Sequence, residues 1–158
     1  MKRNSLLILF ALFFLTAACQ TKPKEAAVNE LPDLTITLLD GKKIVSRELS
    51  GKNIFIVFFP DCDHCQREAK AIQERIDAFK KYTLYFVATT PQEQIQKFAT
   101  DYKLNAISNV KFGKIENEMV YRNFGAISTP SLYIYSNEKK LIKKFNGETN
   151  VEEIIKFL

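Results

Sequence analysis

The chain contains no tryptophan, and its 158 residues include three cysteines, one histidine, five glycines and five prolines. Three cysteines are too few for a small disulfide-knotted scaffold, and an odd number cannot pair completely within one chain. The composition, 46% hydrophobic and 26% charged, excludes a collagen and a disordered chain. The length suits one domain with a single core and a short appendage.

The N-terminal apolar run is too short for a permanent membrane span. Residues 6–15 form ten apolar positions, which rise about 15 Å as a helix against a bilayer core of about 30 Å. Lys2 and Arg3 precede this run and small residues follow it, which is the pattern of a secretory signal peptide. We therefore predict that residues 1–18 are removed and that the protein is exported.

The small residues Ala17 and Ala18 before Cys19 resemble the lipobox of bacterial lipoproteins, in which the cysteine receives lipid and becomes the mature N-terminus. Thr16 departs from that pattern, since leucine is usual there. The resemblance implies lipidation of Cys19 and a membrane-anchored protein of the cell envelope, periplasmic or on the surface. An ordinary signal peptide cut near Ala18 is the alternative.

Residues 19–30 are polar and lack a sustained apolar face, which predicts a flexible tether before a folded domain over residues 31–158. The formal net charge is +5, from 23 Lys and Arg against 18 Asp and Glu. Because no basic patch with interleaved aromatics concentrates this charge, we predict no nucleic-acid partner.

Strand and helix patterns alternate along residues 31–158. The continuous apolar run 53–59, ended by Pro60, and the run 83–88 predict two buried strands, with helical spacing of apolar residues between them. An Asp-Gly turn predicts a hairpin near the N-terminus of this region, and strands are also expected at 110–112, 131–135 and 140–145. Together these patterns predict an α/β fold: a central mixed sheet flanked by helices, with an N-terminal β-hairpin extension.

Two helix starts carry capping patterns. Thr90 is predicted to cap the next helix, because Pro91 follows it directly and Glu93 lies three residues after it. Thr149 is predicted to form a capping box with Glu152 at the start of the last helix. A further helix is expected over residues 116–124.

Cys62 and Cys65 are spaced C-x-x-C where a buried strand ends and a helix begins, within a β-α-β pattern. A cysteine at a helix N-terminus faces unpaired N–H groups and the positive end of the helix dipole, and both favour the thiolate. We expect the Cys62 thiolate to attack a disulfide in a partner. Cys65, about one turn later, is the expected resolving cysteine.

Other uses of this cysteine pair are weaker. A structural disulfide between them closes a very small loop and removes little entropy from the unfolded chain. A zinc site needs about four ligands, whereas the exported chain offers only Cys62, Cys65, His64 and a tethered Cys19. Unpaired structural thiols are unusual in exported proteins. We predict a redox pair with neither a metal nor another cofactor.

Two motifs carry a resemblance to a known family. Residues 58–65, Phe-Phe-Pro-Asp-Cys-Asp-His-Cys, follow a buried strand, and Ser128-Thr129-Pro130 precedes another. With these motifs, residues 31–158 resemble thioredoxin-like proteins, and in particular the exported, membrane-tethered TlpA/ResA-like thiol–disulfide oxidoreductases that are grouped with the AhpC/TSA proteins. The resemblance implies a thioredoxin-like fold, a cis Pro130 beside the disulfide, and a Thr129 backbone that binds an incoming peptide.

The sequence also departs from that family. Asp61 occupies the place of the usual tryptophan, and Ile56 lies where thioredoxins keep a buried acid. The tethered branch can instead carry a glutamate three residues after the second cysteine, which matches Glu68 and implies a proton relay to or from Cys65. Alternatively, Glu68 is solvated and pairs with His64 four residues earlier.

His64 lies between the cysteines, where a protonated imidazole stabilises the Cys62 thiolate and makes the disulfide more oxidising. Asp61 and Asp63 act in the opposite direction, because negative charge disfavours a nearby thiolate. A surface histidine without a role is the alternative.

The resemblance implies an enzyme that reduces disulfides in exported proteins and receives electrons from a membrane partner. Disulfide oxidase activity, which is the reverse direction of the same chemistry, and disulfide isomerase activity are alternatives. A thiol peroxidase is a further alternative, although Phe59 replaces the threonine of the peroxidase motif. The last alternative is a non-enzymatic lipoprotein that uses the fold as a binding scaffold.

Overall fold

The structure is a computed structural model that describes residues 29–158. The predicted signal peptide, Cys19 and most of the predicted tether lie outside the described residues. No helix within residues 29–158 is long and apolar enough to cross a membrane.

Within residues 29–158, strands and helices alternate much as the apolar patterns predict. The strands are β1 (Thr35–Leu38), β2 (Lys43–Val45), β3 (Lys52–Val57), β4 (Tyr82–Ala88), β5 (Val110–Lys114), β6 (Ser131–Tyr135) and β7 (Leu141–Asn146). The α-helices are α1 (Asp63–Glu74), α2 (Gln92–Asp101), α3 (Asn117–Phe124) and α4 (Val151–Ile155).

All seven strands form one mixed sheet in the order β2-β1-β5-β4-β3-β6-β7. Strands β3, β4 and β5 are parallel, whereas β1–β2 and β6–β7 are antiparallel hairpins. The predicted α/β class, mixed sheet and N-terminal hairpin are confirmed.

A separate apolar core covers each face of the sheet. Strand β3 contributes to both cores, because Ile54 and Ile56 point into one and Phe55 and Val57 into the other. This explains why the strand is apolar at each position from Ile54 to Val57. Helices α1, α2 and α4 pack on the first face, and α3 packs on the second.

Both predicted caps are wrong. Pro91 is the N-cap of α2, and the hydroxyl of Thr90 is buried without a hydrogen-bond partner among the described residues. Asn150 rather than Thr149 caps α4, since its side chain accepts the backbone N–H of Glu152 at 2.9 Å. Asparagine is the stronger N-cap residue of the two.

The first described residues pair with the end of β7 that lies far from Pro130. Glu30 forms an antiparallel bridge with Lys140, and the Leu31 N–H donates to the carbonyl of Lys139 at 2.9 Å. Lys140 directly precedes β7, whose other end pairs with Ser131. The chain therefore enters the domain at the pole of the sheet opposite Pro130.

Candidate active site

Cys62 lies at the N-cap of α1, at the carboxyl end of the β3 segment. Its backbone is extended, with φ −86° and ψ 114°, and its Sγ accepts the backbone N–H of Cys65 at 3.4 Å. The side chain is half-buried, and both cysteines are free thiols. A donor N–H and the start of a helix both stabilise negative charge on the sulfur, so the position suits an attacking thiolate.

Cys65 is in a different environment although it lies only one turn further along α1. Its side chain is 2% exposed and belongs to the apolar core under α1. Burial, together with its hydrogen bond to Cys62, raises the pKa of the Cys65 thiol to about 12. Cys65 is therefore a thiol at neutral pH, and a base must remove its proton before it can act as a nucleophile.

Sheet pairing brings the Thr129–Pro130 segment to Cys62. Strand β6 is antiparallel to β3, with Ser131 opposite Val57, so the residues before β6 meet the residues after β3. The Sγ of Cys62 lies 3.7 Å from the carbonyl oxygen of Thr129 and 4.0 Å from its hydroxyl. The peptide bond between Thr129 and Pro130 is cis.

Glu68 is buried on the inner side of α1, with 3% of its surface exposed. One carboxylate oxygen, Oε2, accepts the backbone N–H of Thr149 at 2.8 Å, and the other has no partner among the described residues. Burial raises the pKa of Glu68 to about 7; the Thr149 N–H opposes this shift and the nearby charge of Glu148 adds to it. The alternative of a solvated Glu68 paired with His64 is wrong.

His64 pairs with Glu148, in the loop between β7 and α4. Its Nδ1 lies 2.6 Å from Oε2 of Glu148, and its side chain is 63% exposed. Arg67 binds the same carboxylate through two bonds, Nε to Oε1 at 2.8 Å and Nη2 to Oε2 at 2.6 Å. Arg67 and then His64 lower the pKa of Glu148 to about 2. Nη2 of Arg67 also lies 2.7 Å from Nδ1 of His64, so the three side chains form one cluster.

A cleft of about 450 Å³ lies between α1 and the loop from Gly147 to Asn150. Arg67, Glu68 and Glu148 are among its lining residues, so the buried Glu68 borders this cleft.

Sequence reasoning missed Glu148 and Arg67. Glu148 is separated from its partners on α1 by 81 and 84 residues, so no local spacing identifies it. Arg67 has the helical position of an ordinary solvated residue. Among residues 29–158, no group of three or more His, Cys, Asp or Glu side chains is arranged to hold a metal ion.

Comparison of the sequence with known proteins places the chain in a family. The AhpC/TSA family model matches residues 28–144. The chain is 27% identical over 144 residues to thiol-disulfide oxidoreductase ResA of Bacillus thuringiensis subsp. konkukian, covering 87% of this chain and 80% of that protein. It is 25% identical over 135 residues to ResA of Bacillus cereus ATCC 10987, covering 82% and 75%.

Solved structures show the same fold. A secreted Mycobacterium tuberculosis disulfide oxidoreductase homologous to E. coli DsbE superposes with a TM-score of 0.67 at 18% identity, covering 78% of this chain and 92% of that one. A thioredoxin-like protein from Aeropyrum pernix gives a TM-score of 0.63 at 15% identity, covering 80% and 89%. The predicted thioredoxin-like fold is confirmed, and the chain belongs to the AhpC/TSA family.

Proposed function

We propose that this protein is a thiol–disulfide oxidoreductase that works through Cys62 and Cys65. The observation that carries the proposal is the contrast between the two sulfurs. Cys62 is half-buried at the N-cap of α1 with an N–H donor on its sulfur, whereas Cys65 is buried one turn later. The ResA relatives carry the activity that this contrast suits.

The exchange proceeds in two displacements. The Cys62 thiolate attacks one sulfur of a substrate disulfide, and the bond between the two substrate sulfurs breaks to give a mixed disulfide and a substrate thiolate. The Cys65 sulfur, once deprotonated, attacks the Cys62 sulfur and releases the second substrate thiolate. The substrate disulfide is reduced by two electrons, and the enzyme dithiol is oxidised to an internal disulfide.

Glu68 is the proposed base for the second displacement. It lies one turn after Cys65 on the buried side of α1, and a pKa of about 7 suits a group that takes and returns a proton near neutral pH. No hydrogen bond joins Glu68 to Cys65 among the described residues, so the proton transfer requires a bridging water or a closer approach of the two side chains. The proton taken from Cys65 passes to the departing substrate thiolate.

The backbone of Thr129 is the proposed contact for the substrate. Its carbonyl and hydroxyl already lie beside the Cys62 sulfur. A peptide that brings a disulfide to Cys62 therefore passes along this segment. Phe59, exposed on the strand side of the site, adds an apolar surface.

We propose that the enzyme works as a reductase of disulfides in exported proteins. The charge around Cys62 supports this direction, because an acidic partner, Glu148, binds His64, the basic side chain between the two cysteines. Asp61 and Asp63 are both exposed next to Cys62, and their negative charges disfavour a thiolate on the Cys62 sulfur. A weakly stabilised thiolate corresponds to a reducing pair.

The reduction potential of the Cys62–Cys65 pair tests the direction. We expect a value near the −270 mV or so of thioredoxin, measured by equilibration of the purified protein with dithiothreitol redox buffers. The His64→Gln variant is the matched comparison and is expected to remain reducing, because His64 is already compensated by Glu148. A potential near about −120 mV, that of a strong oxidase, would contradict the reductase proposal.

We also propose that residues 1–18 are a signal peptide, that Cys19 carries lipid, and that residues 19–30 tether the domain to a membrane. The entry of the chain beside Lys140, at the pole opposite Thr129, supports this arrangement. A domain held from that pole presents Cys62 away from the membrane, toward exported substrates. A flexible tether lets the domain turn so that a membrane donor of electrons can reduce it.

Substitution of Cys19 tests the anchor. The Cys19→Ala variant, expressed with its leader in a bacterium, is expected to move from the membrane fraction to the soluble fraction while its activity on a small disulfide is unchanged. The reason is that the lipid is attached far from the redox pair. Retention of the variant in membranes at the wild-type level would contradict lipid anchoring through this residue.

A further inference from the structure

Glu148 connects the exposed face of α1 to the loop that contacts Glu68. Its carboxylate binds Arg67 through two bonds and His64 through a third, all of 2.8 Å or less. His64 and Arg67 are three residues apart, so they lie on the same side of α1 and face the loop together. The loop is thereby held against the first two turns of the helix.

The residue after Glu148 supplies the one hydrogen bond that Glu68 receives among the described residues. The backbone N–H of Thr149 donates to Oε2 of Glu68 at 2.8 Å. The hydroxyl of Thr149 bonds back to the carbonyl of Gly147 at 3.1 Å, which fixes the shape of the loop around this donor. A displacement of Glu148 therefore moves the N–H that Glu68 depends on.

We propose that Glu148 is a positioning residue for the exchange reaction: by binding Arg67 and His64 it holds the Thr149 N–H on Glu68 and sets how readily Glu68 takes a proton. This role rests on the proposed function, because it acts through the base of the second displacement. Glu148 itself touches neither cysteine among the contacts of the described residues.

Two opposite effects on Glu68 follow from this arrangement. The negative charge of Glu148 raises the pKa of Glu68, whereas the hydrogen bond from the Thr149 N–H lowers it. Removing the Glu148 charge and releasing the Thr149 N–H therefore shift the proton affinity of Glu68 in opposite directions. The charged groups that line the cleft with Glu68 are Arg67 on α1 and Glu148 on the loop. Cys65 and His64 lie on the same helix, and Arg75 pairs with Glu152 where α4 packs on α1.

The test measures the protonation of Glu68 directly. In protein labelled with carbon-13 at glutamate side chains, the carboxyl resonance of Glu68 is assigned by its loss in Glu68→Gln and is followed against pH. In Glu148→Gln, whose amide can still bind Arg67, the proton affinity of Glu68 is expected to fall at least about threefold, as expected for loss of one nearby like charge. In Arg67→Gln, which breaks both Arg67 bonds to Glu148 and so loosens the Thr149 N–H on Glu68, the proton affinity is expected to rise by a similar factor.

A control and a second measurement separate positioning from a general loss of structure. Glu152→Gln removes a carboxylate on α4 that pairs with Arg75 at the end of α1. This variant is expected to leave the midpoint of the Glu68 titration unchanged. In Glu148→Ala, which removes the contacts with α1, amide hydrogen exchange of Thr149 is expected to accelerate at least about tenfold because the loop opens locally. The pH at which the Cys62–Cys65 disulfide forms at half its maximal rate in a single turnover should shift in the same direction as the midpoint of the Glu68 titration.

Three outcomes would overturn the inference: amide exchange of Thr149 at the wild-type rate in Glu148→Ala, shifts of the Glu68 midpoint of the same sign in Glu148→Gln and Arg67→Gln, or an equal shift in Glu152→Gln. If Cys62 still forms mixed disulfides in such a case, the inference about Glu148 fails alone. If Cys62 forms none in the unaltered protein, the proposed function fails instead.

Discussion

The Cys62→Ser variant is expected to turn over a disulfide substrate no faster than the uncatalysed reaction. A serine hydroxyl does not ionise near neutral pH and does not displace sulfur from a disulfide, so the first displacement is lost. The fold should persist, because serine is a favoured N-cap residue and its hydroxyl can accept the Cys65 N–H that the sulfur accepts now. The measurement is the steady-state reduction of a small aromatic disulfide, with far-ultraviolet circular dichroism as the folding check.

The Cys65→Ser variant is the matched control for that experiment. It keeps the attacking sulfur and loses the resolving one, so a rapid first displacement should be followed by a stalled covalent adduct. Wild-type turnover in Cys62→Ser would refute Cys62 as the nucleophile. Equal behaviour of the two variants would refute their division of roles.

The Glu68→Gln variant is expected to change how stability depends on pH. The pKa of Glu68 is raised from 4.5 to about 7 by burial in the folded protein. Below about pH 4.5 the carboxyl group is neutral in both states and carries no penalty. Between about pH 4.5 and 7 the unfolded chain ionises more readily than the folded one, so the free energy of unfolding falls by about 3 kcal/mol in total.

Glutamine has the same shape and can still accept the Thr149 N–H, but it does not ionise. The variant should therefore lack this loss and should gain stability relative to wild type as pH rises from 5 to 8. Urea unfolding at the two pH values measures the change. Glu74→Gln, an exposed position on the same helix, is the control and should follow wild type. Parallel pH dependence of Glu68→Gln and wild type would contradict the buried, raised-pKa carboxyl group.

In the Glu68→Gln variant, only one step of catalysis is expected to become slower. Without a base to take its proton, the Cys65 thiol, whose pKa is about 12, attacks the mixed disulfide slowly. We expect the second displacement to slow by about a hundredfold, in the range of general-base effects, while the attack by Cys62 keeps its rate.

The strands and the redox pair could be predicted from the sequence because their signals are local. The second part of β3, Ile54 to Val57, is apolar at each position because its two faces enter two cores, and Pro60 ends the apolar run just before Cys62. The helical spacing that follows places Cys62 at a helix start without reference to any other part of the chain. The hairpin before β3 is likewise marked by its own Asp-Gly turn.

The environment of Glu68 could not be predicted from local spacing. Its position four residues after His64 is equally consistent with an exposed ion pair and with a buried carboxyl group. The outcome depends on where Thr149 lies, 81 residues away, and on Glu148, which takes His64 as its own partner. Ile56 is buried where thioredoxins keep an acid, so the buried carboxyl group near this redox pair comes from α1 instead of β3.

The predictions of the two N-cap residues were wrong for a different reason. Thr149 and Asn150 are both residues that cap helices, and the exact first residue of a helix shifts by one or two positions with its surroundings. At α2 the backbone of Pro91 takes the N-cap position, which leaves Thr90 one residue outside the helix.

The most direct test of the central claim is to trap the covalent intermediate. Reduced Cys65→Ser protein is mixed with a disulfide-bonded peptide, quenched with acid, and digested for mass spectrometry. We expect one peptide adduct per chain, joined through the sulfur of Cys62. Absence of an adduct, or an equal adduct on Cys65 when Cys62→Ser is treated in the same way, would contradict the account.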